Sequence, residues 1–182
     1  MNKEVLKLTE TSILVALAIL LHMIGLFVPL FQMPQGGFIS LVLLPLVIVS
    51  LRHGYLYGFL SGIVAGIIIT TFDGFVIHWG SLIFDYILAF GLVGITAAFK
   101  KDALDKKISK FILALTVASV IRYLMHSLSG VIFFSEFAEG KNVILYSFVL
   151  YNLPYLGISY LVSLIVGILI YPSLNVILKK TK

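Results

Sequence analysis

The chain has no cysteine, so disulfides, thiolate nucleophiles and cysteine-bound metals are excluded at the outset. It is also poor in charge. Charged residues make up 12% of the 182, about half of what soluble domains carry. Only eight are acidic, and no pair of carboxylates falls inside one apolar run. No Walker A sequence occurs, nor a His-Glu-x-x-His pair, nor a Gly-x-Ser-x-Gly elbow. The histidines, His22, His53, His78 and His126, are not spaced as a metal cluster. The expectation is a chain that is not an enzyme, with no catalytic residue, no metal site and no cofactor.

What is present is apolar. Hydrophobic residues are 60% of the sequence, and a membrane helix needs roughly 20 of them in a row. Six candidate helices follow: 9–30, 37–52, 54–72, 80–99, 109–134 and 147–171. The chain reads as one all-α integral-membrane domain, 1–182, with six transmembrane helices. The first apolar run, 13–31, is too long for a signal-peptide core and no small-x-small cleavage site follows it, so it is expected to be retained. Arg52-His53-Gly54 joins the second and third helices in a tight hairpin. With a cytoplasmic N-terminus, Lys3, Lys7, Arg52, Lys100, Lys101, Lys106, Lys107, Lys110, Lys179, Lys180 and Lys182 all fall inside and only Lys141 outside. Eleven against one is a strong positive-inside signal, and it predicts both termini in the cytoplasm. It also accounts for the net charge of +5 without nucleic acid.

Small residues mark close helix contacts, because the bilayer gives helices little other reason to associate. Gly54, Gly58, Gly62 and Gly66 make a smooth groove on the third helix. Ser12 and Ala16, four apart on the first, offer a close-contact face to an internal or external partner. The first outer loop, 29–37, is uncharged and rich in Pro, Gly and Gln; it is either a connector or a flap over an outer pocket. Ser40, one turn into the next helix, is placed within reach of that pocket. The next outer loop holds Asp73, Gly74, His78 and Trp79, the tryptophan reading as an interfacial anchor and His78 as solvated.

The polar residues inside the apolar runs carry the functional argument. Asp85 costs about 2.5–3.5 kcal/mol on insertion scales if it sits at helix centre. It needs a partner, which Arg122, His126, water or a cationic ligand would supply, and Tyr86 sets a phenol beside it. Arg122, His126, Gly130 and Phe134 recur every four residues, one face of a helix. They offer a cation, an imidazole, a gap and a flat π surface, a wall suited to a planar polar molecule. Asn152 either satisfies backbone freed by Pro154 or aims its amide into the same pocket.

Met33-Pro34-Gln35-Gly36-Gly37, Ser40, Pro45 and Arg52-x-Gly54 resemble, in order, the thiamine-specific S-component of energy-coupling factor (ECF) transporters. So do Asp85-Tyr86, Arg122-Tyr123-x-x-His126-x-x-x-Gly130-Val131-Ile132-Phe133-Phe134 and Tyr151-Asn152. The resemblance runs along nearly the whole chain. It implies a bacterial cell-membrane subunit that captures thiamine outside and docks on a module of one transmembrane coupling protein and two ATPases. By the same resemblance, thiamine contacts fall on Asp85, Tyr86, His126, Gly130, Phe134 and Asn152. The family tyrosine falls on Tyr146 or, with a shift of one, on Ser147. Ser12 and Ala16 match the contact with the coupling protein. The alternatives are an S-component for riboflavin or a thiamine precursor and, in another class, a small membrane enzyme or structural subunit.

Overall fold

A computed structural model of the chain describes residues 2–34, 36–73, 76–105 and 107–179. Gln35 and Gly74 of the outer loops, and Lys106, Lys180 and Lys182 of the topology count, lie outside the described residues. The described residues form six helices: α1 Lys3–Phe27, α2 Leu43–His53, α3 Tyr55–Asp73, α4 Trp79–Ala103, α5 Ile108–Phe133 and α6 Val143–Leu174. The sole β feature among them is an isolated bridge between Gln32 and Phe38. The Asn2 side chain caps α1 by accepting from the Glu4 amide at 3.1 Å.

Five helices are long and apolar enough to cross a bilayer; α2 is not, with 11 residues. At 1.5 Å per residue it spans about half of a ~30 Å hydrocarbon core. The sequence places its start near 37, but helix begins only at Leu43. The reason is local. Gly36 and Gly37 adopt left-handed φ values of 94° and 75°, a region that favours glycine. The chain then folds back on itself through Ile39 N–H to the Phe31 carbonyl, at 2.8 Å. Beyond it, side chains replace helix bonds: Ser159 Oγ accepts from Ser40 N at 3.0 Å, and Ser40 Oγ accepts from Val42 N at 3.2 Å. Irregular backbone at membrane depth is tolerated where protein encloses it, and every residue from Leu43 to Leu51 is buried.

The α3 glycines are packing sites. A Cβ on Gly58 would meet Gly94 Cα at 2.8 Å, and one on Gly62 or Gly66 would strike the carbonyl of Phe90 or Tyr86 in α4. Ion pairs tie one end of the bundle. Arg52 grips Glu10 of α1 through Nε at 2.6 Å and Nη2 at 2.5 Å, and His53 Nε2 lies 3.1 Å from the same carboxylate. The Tyr57 hydroxyl donates to Glu4 at 3.0 Å, and the Tyr171 hydroxyl to the Ala103 carbonyl at 2.7 Å. The start of α1, the α2–α3 turn and the ends of α4 and α6 therefore meet at this basic end.

Near the other end, two helices leave α geometry. A π segment occupies Ile83–Leu88 in α4, and another Tyr146–Asn152 in α6. Such wide turns re-aim side chains and are frequent at functional sites. In α6 the freed Ser147 carbonyl accepts from Asn152 Nδ2 at 2.9 Å.

Candidate functional site

A cavity of about 520 Å³ opens at the end opposite the ion pairs, within the size range of small-molecule sites. Both π segments face it. From α4 come Asp85 and Tyr86, from α5 Arg122, His126 and Gly130, then Phe134 at that helix's end, and from α6 Tyr146, Ser147, Tyr151, Asn152 and Tyr155. His22 of α1, Asp73 of α3 and Gly37 and Phe38 of the α1–α2 connection complete much of the wall.

The carboxylate of Asp85 finds its partners on α5. Oδ1 lies 3.1 Å from His126 Nδ1, and Oδ2 accepts from Ser129 Oγ at 2.7 Å. Arg122 is not its ion-pair partner. The guanidinium is buried, donates through Nε to His126 Nε2 at 3.3 Å and lies 4.9 Å from the Phe90 ring centre. Among the described residues no carboxylate oxygen comes within 4.0 Å of it. Asp85, His126 and Arg122 thus form one chain of polar contacts along the cavity.

Gly130 is a close-approach position: a Cβ there would run into Ser147 Oγ. Both Tyr146 and Ser147 line the cavity, but differently. Ser147 is buried and donates to the Ser127 carbonyl at 2.8 Å, so its hydroxyl is committed within the protein. Tyr146 is half-buried, with its ring 6.1 Å from that of Tyr151 and Lys141 Nζ 5.7 Å from its centre. Asn152 lines the cavity, and its bonds go to Ser147 and Tyr155 rather than to backbone freed by Pro154. Its Oδ1 accepts from the Tyr155 hydroxyl at 2.8 Å. Phe134 contributes a ring to the cavity, 6.0 Å from Phe137.

Ser40 does not line this cavity. It lines a separate space of about 10 Å³ beneath, with Ser119, Ser159 and Ser163, and its hydroxyl and amide are engaged by backbone and Ser159. His78 is exposed, as expected, and is also held by contacts. Its Nδ1 accepts from Gly80 N at 2.9 Å, capping α4, and its ring stacks on Phe133 at 4.9 Å. Trp79 is 71% exposed, as an interfacial anchor should be. Ser12 and Ala16 face outward on α1, while Val15, Ala18 and His22 face the bundle. Sequence reasoning missed His22, Asp73, Tyr151 and Tyr155 as cavity residues. The available signals were an imidazole within the first apolar run and the Tyr151-Asn152 pair. Asp73 reads as a loop residue because the end of α3 cannot be fixed from composition.

Against this geometry stand the comparisons with known proteins. Residues 8–179 match the family described as Thiamine transporter protein (Thia_YuaJ). The chain belongs to the thiamine transporter family. It is 33% identical to the Thiamine transporter ThiT of Bacillus subtilis, over the whole of this chain and 98% of that one. The solved structure of ThiT from Listeria monocytogenes superposes with a TM-score of 0.79 at 26% identity, over 96% of this chain and 99% of that one. The family is one of transporters rather than enzymes, and with the apolar helices it makes this a bacterial multi-pass membrane protein.

Proposed function

We propose that this protein is the thiamine-capturing S-component of an ECF-type uptake system. The observation that carries the reading is the cavity itself, where Asp85, His126, Phe134 and Tyr146 converge in a thiamine transporter family member. Thiamine is a flat aminopyrimidine joined to a cationic thiazolium. Phe134 and Tyr146 supply π faces for flat or cationic rings. The carboxylate of Asp85, held by His126 and Ser129, supplies an acceptor that needs no reorganisation when a donor arrives. Gly130 lines the cavity where α5 and α6 meet, and any side chain there would displace Ser147.

The cavity end faces outward in this proposal and the basic end faces the cytoplasm, the orientation favoured by the basic residues. The chain carries no P-loop and so needs an external motor. The exposed Ser12/Ala16 face of α1 is the surface offered to the coupling protein, because small side chains let a partner helix approach closely.

Calorimetric titration of the purified protein with thiamine tests the reading. Tyrosine emission is the companion probe, since Tyr146 and Tyr151 line the cavity and Trp79 does not. Saturable binding well below millimolar is expected. Saturation by riboflavin or the isolated pyrimidine, with thiamine inert, would reassign the ligand.

A further inference from the structure

His22 is 2% exposed, and its Nε2 lies 2.9 Å from Asp73 Oδ1. Its ring is wedged edge-on against Phe38 at 4.8 Å and Phe90 at 6.4 Å. Nδ1 is buried without a hydrogen-bond partner among the described residues. That arrangement suits the tautomer with its proton on Nε2, donating to Asp73. The cavity therefore presents two His–Asp pairs from four helices, His22–Asp73 across α1 and α3 and His126–Asp85 across α4 and α5.

The pairs differ in how the carboxylate is held. In Asp85, Oδ1 meets His126 and Oδ2 meets Ser129. In Asp73, His22 takes Oδ1, and the Tyr86 hydroxyl lies close enough to bond the same carboxylate. Its side chain is 16% exposed, at the cavity wall. Tyr86 lies within electrostatic reach of both carboxylates. With neutral imidazoles, Asp73, Asp85 and Arg122 give the wall one net negative formal charge. Without Asp73 that charge is zero.

Resting on the thiamine reading, we infer that Asp73 is a specificity-determining residue of the site, facing the ligand's cationic ring and restricting the cavity to organic monocations. His22 is a positioning residue. It fixes the carboxylate at the cavity wall.

The test compares thiamine with its neutral isostere, in which a thiophene replaces the thiazolium. Asp73→Asn should weaken thiamine by about tenfold to a hundredfold, the range of a charge-assisted contact. The isostere should change by less than about twofold, since it has no charge to lose. His22→Leu should weaken thiamine selectively, and His22→Gln, which keeps a donor near Nε2, should restore most of the affinity. Should Asp73→Asn not fold, Asp73→Ser removes the charge with another side chain. Equal losses for both ligands would make Asp73 purely structural, and no loss for either would leave it a helix-end contact; both overturn the inference. A wild-type chain that binds neither ligand removes the thiamine assignment and this inference with it. Thiamine binding that is indifferent to Asp73 removes the inference alone.

Discussion

At the cavity end, polar side chains line an open space of about 520 Å³, and both helices that carry most of them are π-distorted. At the basic end, residues of the same types are closed on one another: Glu10 is gripped by Arg52 and His53, and Glu4 by Tyr57. Toward that end α3 and α4 meet glycine to glycine. The difference teaches how one bundle combines recognition with rigidity. Glycine-packed helices fix the scaffold, α4 tightening to 3-10 geometry over Leu92–Phe99 there, and the wide π turns at the cavity aim the side chains. Mutations should therefore separate into those that change affinity and those that change stability or coupling.

The sharpest separation is expected on the outer face of α1. Ser12→Trp with Ala16→Trp should abolish thiamine uptake in cells, because the bulk blocks docking. Affinity of the purified subunit should stay within about twofold, as neither residue lines the cavity. Parallel uptake and binding assays on one variant check this. Loss of both would mean that the residues pack within the bundle.

Next comes the ion pair. Glu10→Ala leaves Arg52, 7% exposed, without its carboxylate. Removing one partner of a buried pair costs about 3–5 kcal/mol, and the 24% exposure of Glu10 puts the expectation near the lower bound. Thermal unfolding in detergent should show the loss, while thiamine affinity of the folded fraction holds. A large fall in affinity would tie the two ends together energetically.

Asp85→Asn should invert that pattern, weakening thiamine by about 1–3 kcal/mol with little change in unfolding temperature. Unchanged affinity would limit Asp85 to orienting His126. The smallest effect is expected from the π surface: Phe134→Ala should lose about 1 kcal/mol of binding and Phe134→Trp hold or raise it, tryptophan having the stronger π face. Equal Kd values for all three side chains would remove Phe134 from ligand contact.

Much of this architecture is legible in the sequence, and the failures have physical causes. Apolar runs locate the long helices, because the bilayer demands length and lack of charge. The four-residue spacing of Arg122, His126, Gly130 and Phe134 gives their shared wall, because α5 is regular to Phe133 and the Phe134 N–H still bonds the Gly130 carbonyl. Where helices are irregular, spacing misleads. The π segment Tyr146–Asn152 changes the register on which a choice between Tyr146 and Ser147 depends, and both residues reach the cavity. Ser40 reaches the large cavity only if helix runs from 37; the backbone there is irregular, and Ser40 lines the smaller space instead. The partner of Asp85 could not be chosen among Arg122, His126, water and ligand, because that choice depends on how α4 is rotated against α5.

The extended run before α2 has a consequence for the order in which the protein is made. The amide of Ser40 is satisfied by Ser159, 119 residues later in the chain. During synthesis the short second helix enters the membrane long before its acceptor exists. An uncompensated backbone donor in lipid costs several kcal/mol, so α2 is sheltered at first only by its hairpin with α3 and by water. The cavity wall built from Gly37 and Phe38 sets when the last helix arrives.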